Sequence, residues 1–282
     1  MRLFARFLFL MLLISGSAHL AANLLGLNMF TAPILMWSVG VCAMLAMRWE
    51  GLPLSGLGWG WGPARYHLIA FALPLVYGGI AYTAAGLAGL ADFPNAENIR
   101  RLTDFAGFRG MDLLPAFVLT MLLFLPSGLV NSMASSLGEE IGWRGFLTPL
   151  LTSHWGFVAA SAATGLMWAG WHVPLVFFTE YNGGGVKSVE VLCFLCSAIS
   201  ISGPMAWLRL KSGSLWPAAM LHAAHNLIIQ SVFDRFTVRG DGAITMVGEF
   251  GVVLAAVTLL VSLPFWWDGA RLARPGFPQS GN

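Results

Sequence analysis

The chain has 282 residues, 57% of them hydrophobic and only 10% charged, with a net charge of +2 and a mean hydropathy of +0.73. Soluble domains carry about 25% charged residues, so most of a water-facing surface is missing and the natural solvent is a bilayer. The few scattered basic residues exclude a nucleic-acid-binding stripe, and three cysteines (Cys42, Cys193 and Cys196) exclude a disulfide framework.

A helix needs about 20 mostly apolar residues to cross the hydrocarbon core. Such runs fall at 7–25, 30–47, 67–90, 113–137, 155–178, 189–208, 213–232 and 247–266. The predicted fold is therefore all-α: a polytopic transmembrane helical bundle of about eight spans. The N-terminus has the arginines, apolar core and small residues of a secretory signal, but its apolar run continues almost to Met47, so it reads as the first span. A short turn near "LGLNMF" joins spans one and two. The loop at 91–112 carries Asp92, Glu97, Asp104 and Asp112 and reads as a short amphipathic lid. Residues 145–155 are expected to form a turn and a short interfacial helix before the fifth span. Cys193 and Cys196 lie within an apolar helix and read as packing residues. "YNGGGVK" reads as a loop, and "PGFPQSGN" as a frayed end. No internal repeat is present.

Eight spans place both termini on one side. With the termini in the cytoplasm, Arg2, Arg6, Arg48, Arg65, Arg144, Arg209, Lys211, Arg271 and Arg274 lie inside. Arg100, Arg101, Arg109, Lys187, Arg235 and Arg239 then lie outside. The excess of positive charge inside favours this orientation. The expected location is a bacterial inner membrane, multi-pass, with both termini cytoplasmic.

Ionisable residues inside a span are functional candidates, because burying one unpaired costs several kcal/mol. Here they are Glu139, Glu140 and Arg144 in "EEIGWR", His172 in "WAGWH", and His222 and His225 with Asn226 in "HAAHN". Glu140 and Arg144, four apart, can pair on one helix face, while Glu139 is turned about 100° away and can point into the bundle. His222 and Asn226 share a face, as do Trp168 and His172. Three helices thus offer polar groups to one intramembrane cavity. A carboxylate beside an imidazole can deprotonate water and pass the proton to a leaving amine. An imidazole with an amide NH₂ can hold the resulting oxyanion. Alternatively, Glu139, His172 and His222 are three ligands of a type that binds zinc. The residue types leave both versions open, and also leave open a proton-coupled transporter built on the same groups.

The bland readings are specific too. Glu139, Glu140 and Arg144 alone would suit a helix end in headgroup water. His225 is read as a packing histidine turned from Asn226, Glu249 as a headgroup residue, and Asn131, Ser132, Ser135 and Ser136 as helix–helix glue. His154 and His67 read as interfacial, and His19 has no evident partner. "VP" after His172 suggests a bend that opens the helix.

At these residues the sequence resembles the CPBP family of intramembrane proteases, which includes the type II CAAX prenyl endopeptidases and bacterial Abi or bacteriocin self-immunity proteins. The family signature EExxxR, F/WxxxH, HxxxN occurs in order as Glu139–Glu140–Arg144, Trp168–His172 and His222–Asn226. The resemblance implies a glutamate-type endopeptidase. Glu139 and His172 would activate water, His222 and Asn226 would form the oxyanion hole, and Glu140, Arg144 and Trp168 would support them. It implies no cofactor, with zinc as the second version, and a membrane-embedded or lipidated peptide as substrate. An immunity-type binding role is the remaining alternative. On this reading 1–112 holds spans one to three and the external loop, 113–232 the catalytic core, and 233–282 the last span and a cytoplasmic tail.

Overall fold

The structure is a computed structural model that describes residues 2–273; Arg274 and the "PGFPQSGN" tail lie outside the described residues. Helix α1 runs Arg2–Leu25, α2 Thr31–Trp49, α3 Ala64–Leu87, α4 Ala96–Phe105 and α5 Leu113–Trp155. After these come α6 (Phe157–Phe178), α7 (Lys187–Ser212), α8 (216–233) and α9 (Val252–Gly269). Two two-residue strands, β1 (Ala91–Asp92) and β2 (Val238–Arg239), pair antiparallel and tie the loop after α3 to the loop after α8. Among the described residues this is an all-helical bundle apart from that one pair.

Six helices, α1, α2, α3, α5, α7 and α9, are long and apolar enough to cross a membrane. The expected fifth and seventh spans are also helical, as α6 and α8, but Trp168, His172, His222, His225, Asn226 and Gln230 make them more polar. Large apolar side chains such as Leu12, Leu24, Leu68, Leu122, Val130, Leu260 and Trp267 stand exposed on the outer faces. In water such a surface would aggregate; in a bilayer it needs no cover. The chain is an integral multi-pass membrane protein.

Three expectations are corrected. No turn interrupts 145–155: the helix carries on past Glu140 as a buried π-helical stretch, Ile141–Leu147, and then as α-helix to Trp155. Gly156, at φ 78°, ends it in a backbone conformation that glycine adopts freely. The last span begins at Val252 rather than near 247, because Glu249, Phe250 and Gly251 form a loop before it. The helix around Pro174 is likewise unbroken to Phe178.

Close approach sets how the bundle holds α5. A Cβ on Gly138 would lie 2.7 Å from the Trp37 Cα, and one on Gly40 would lie 2.5 Å from the Gly138 carbonyl oxygen. A Cβ on Gly142 would lie 2.8 Å from the Val39 oxygen. Glycines one turn apart thus let α2 and α5 meet backbone to backbone, which is how helices associate where lipid supplies no hydrophobic drive. The Trp37 indole N–H donates to the Ala134 carbonyl (3.0 Å) across the same seam. Glu139 and Glu140 lie between Gly138 and Gly142, so this contact fixes the depth and rotation of both carboxylates. Helix α8, whose Ala218, Ala219, Ala223 and Ala224 are all buried, packs against α3, α5 and α7 and brings His222 to the middle.

Gly138→Ala is expected to cost about 1–3 kcal/mol through forced separation of α2 and α5. Gly170→Ala, which meets nothing within 4 Å, serves as the control. Thermal unfolding in detergent checks this, and equal melting temperatures for the two variants would contradict it.

Candidate active site

Glu140 and Arg144 are completely buried, and Glu139 and His222 nearly so. Arg144 Nη1 donates to Glu140 Oε1 at 2.7 Å, and His222 Nδ1 lies 3.0 Å from the same oxygen. Arg144 Nη2 donates to Ser202 Oγ on α7 (2.8 Å), and its guanidinium lies over the Trp168 ring, 4.5 Å from the centroid. One carboxylate oxygen therefore joins α5 to α8, and its arginine reaches α6 and α7. A buried charge is tolerated only when paired and hydrogen-bonded; Arg144 and Glu140 pair with each other, while Glu140 Oε2 and Arg144 Nε have no hydrogen-bond partner.

Glu139 points elsewhere. Its Oε2 accepts from the Trp168 indole N–H at 2.8 Å and from the Trp143 indole N–H at 3.3 Å. Two neutral donors hold this carboxylate through one oxygen. Phenylalanine at position 168 would supply the ring but not the N–H, so tryptophan does more here than pack.

The histidine tautomers follow from their partners. His172 Nδ1 lies 2.9 Å from the Trp168 carbonyl oxygen, which can only accept, so Nδ1 carries the proton and the neutral ring keeps a lone pair on Nε2. His222 Nδ1 faces Glu140 Oε1, again an acceptor. Asn226 Nδ2 donates to the buried Ser136 Oγ (3.5 Å), and its Oδ1 accepts from Gln230 Nε2 (3.4 Å). Ser136, expected to be helix–helix glue, joins α5 to α8 through this contact with the Asn226 amide.

Glu139, Trp168, His172, His222 and Asn226 all line one cavity of about 200 Å³, walled on its apolar side by Leu27, Leu35, Met36 and Leu175. Glu140 and Arg144 stand behind it. Both helices that carry the motifs' carboxylates and amide change to π winding at the site, α5 at Ile141 and α8 at Asn226. Short π stretches inside α-helices concentrate at functional sites, where the wider turn re-aims side chains.

Two residues assigned bland roles belong to this cavity. Glu249 does not sit in headgroups: it is 7% exposed and lines the cavity. His225 also faces it, with Nε2 3.6 Å from Glu249 Oε1 and Nδ1 2.6 Å from the Tyr77 hydroxyl. Glu249 Oε1 further accepts from Tyr181 (3.0 Å) and Gln230 (2.9 Å). Burial opposes ionisation of Glu249, but His225, Gln230 and Tyr181 outweigh it and hold the carboxyl below its usual range. Burial in turn pushes Asp234, which binds the Glu249 backbone N–H and the Tyr82 hydroxyl, up to about 6. No composition or spacing signal marked Glu249; its only sequence sign is a lone acid beside an apolar run.

Among the described residues, no three His, Cys, Asp or Glu side chains are grouped as a metal would need. Glu139, His172 and His222 share the cavity, with Glu139 Oε2 engaged by indoles, His172 Nδ1 facing the Trp168 carbonyl and His222 Nδ1 facing Glu140.

Residues 120–228 match the family described as Type II CAAX prenyl endopeptidase Rce1-like. A curated protein, CAAX prenyl protease 2 of Methanococcus maripaludis, is 26% identical over 124 residues, which covers 43% of this chain and 45% of that protein. The chain thus spans under half the length of that relative. The matched segment contains all seven residues of the three motifs.

Arg144→Met is expected to cost about 3–5 kcal/mol, because it leaves Glu140 buried beside an uncharged side chain. Glu140→Gln added to Arg144→Met should recover part of the loss. Denaturant titration in mixed micelles measures both, and strictly additive losses would show that the pair does not act as a unit.

Proposed function

We propose that the chain, whose residues 120–228 match the Rce1-like CAAX prenyl endopeptidase family, is an intramembrane endopeptidase. In this reading it hydrolyses a peptide bond of a membrane-embedded or lipidated substrate, with water as the nucleophile. The observation that carries the reading is that a carboxylate, two imidazoles and an amide from three helices line one cavity with a largely apolar wall. Such a wall suits a lipidated or apolar peptide, and the polar groups suit its carbonyl.

Glu139 takes a proton from water through the oxygen not engaged by Trp143 and Trp168, and His172 Nε2 accepts the water's second hydrogen bond and orients it. The hydroxide adds to the scissile carbonyl carbon, and the carbonyl oxygen becomes an oxyanion. Asn226 Nδ2 donates to that oxyanion. His222, held through Nδ1 by Glu140, faces the same cavity as the second donor of this reading. Collapse of the tetrahedral intermediate breaks the C–N bond, and the proton on Glu139 passes to the leaving nitrogen. Removing one oxyanion donor from a preorganised site costs about 10²–10³ in kcat. Both termini lie in the cytoplasm of a bacterial inner membrane in this reading, supported by the distribution of arginines and lysines.

Glu139→Gln is expected to abolish cleavage of a panel of lipidated peptides without lowering the melting temperature, and chelators should leave the native rate unchanged. Full activity in Glu139→Gln would sink the reading; loss on chelation reversed by zinc would replace its water-activation step with a metal-dependent one. A reporter fused after residue 282 should be active only as a cytoplasmic fusion, and periplasmic activity would reverse the orientation.

A further inference from the structure

A side-chain amide can face either way round, and at the oxyanion only its NH₂ end is useful. Asn226 is therefore effective only if something fixes its orientation. Starting from Glu249, the polarity of each contact is determined. An ionised carboxylate only accepts, so the Gln230 atom 2.9 Å from Glu249 Oε1 is its NH₂ nitrogen. The second hydrogen on that nitrogen points to the Asn226 side chain, 3.4 Å away, which must therefore present its oxygen. The Asn226 NH₂ is then turned to Ser136 and the cavity.

We propose that Glu249 and Gln230 are positioning residues that set the orientation of the Asn226 amide, and so keep its NH₂ available to the oxyanion. The inference rests on the endopeptidase reading above and extends it to residues beyond the matched segment, which ends at residue 228. Glu249 is itself well held. Tyr181 donates to Oε1 at 3.0 Å, His225 Nε2 lies at 3.6 Å, and the Glu249 backbone N–H donates to Asp234 at 3.3 Å. The loop before α9 thus acts on the oxyanion donor through two amides in series. The π winding that begins at Asn226 carries Gln230 in its first turn, between Asn226 and the Glu249 loop.

The test is a double-mutant cycle on kcat and KM for a cleaved peptide, with purified full-length protein in detergent. Gln230→Leu is expected to lower kcat about tenfold with little change in KM, a fraction of the loss from deleting an oxyanion donor. In an Asn226→Ala background the same change should lower kcat no further, because there is no amide left to orient. Glu249→Leu should behave like Gln230→Leu. Glu249→Gln should retain more activity than Glu249→Leu, since Tyr181 and His225 would hold its carbonyl oxygen where the carboxylate oxygen now sits. Gln230→Leu with wild-type kcat, or an undiminished loss in the Asn226→Ala background, would overturn the positioning role while inactivity of Glu139→Gln leaves the protease reading standing. An active Glu139→Gln would overturn that reading and this one together.

Discussion

The bundle depends on one buried carboxylate. Glu140 is wholly enclosed, and Arg144 and His222 meet the same one of its oxygens. Because Arg144 also binds Ser202 and covers Trp168, this one charge set ties α5, α6, α7 and α8 together. Replacing such a set with apolar side chains can leave a fold stable, so here its contribution is register: it determines which faces of four helices look at one another.

Bracing by Glu140 leaves its neighbour free. Glu139 is held by the indole N–H groups of Trp143 and Trp168, which fix the orientation of its carboxylate. The division of labour needs the adjacent pair to stay about 100° apart on α-helical backbone, and the π stretch begins only after both residues are placed. Gly138 and Gly142 flank them and admit α2 at backbone distance, so a small rotation of α5 meets van der Waals contact at once. Geometry on this scale matters, because a misplacement of about 1 Å can cost a factor of about 100 in rate.

Much of this was legible from residue types and spacing. Uncharged runs located the helices, since a bilayer forbids other structure there, and the i, i+4 spacing of Glu140 and Arg144 anticipated their contact. The two π stretches were not legible: "IGWRGFL" and "NLIIQSVF" carry no feature that separates i→i+5 from i→i+4 bonding. Glu249 was misassigned because hydropathy says how polar a helix end is, not whether a loop folds inward. His225 was set aside on a sound angular argument that drew too narrow a conclusion. One residue step turns a side chain by about 100°, yet the wall of this cavity is broad enough to take both His225 and Asn226. Trp168, read as a supporting residue, supplies a hydrogen bond to Glu139 that the motif spacing does not show.

The central claim is that Glu139 acts on water rather than attacking the substrate itself. A carboxylate nucleophile would form an acyl anhydride with the substrate's carbonyl; a general base would not. Single-turnover cleavage in H₂¹⁸O with hydroxylamine present separates the two routes. One ¹⁸O in the new carboxylate and no hydroxamate product are expected. A hydroxamate at the cleavage site would show that the enzyme passes through a covalent acyl intermediate and would contradict it.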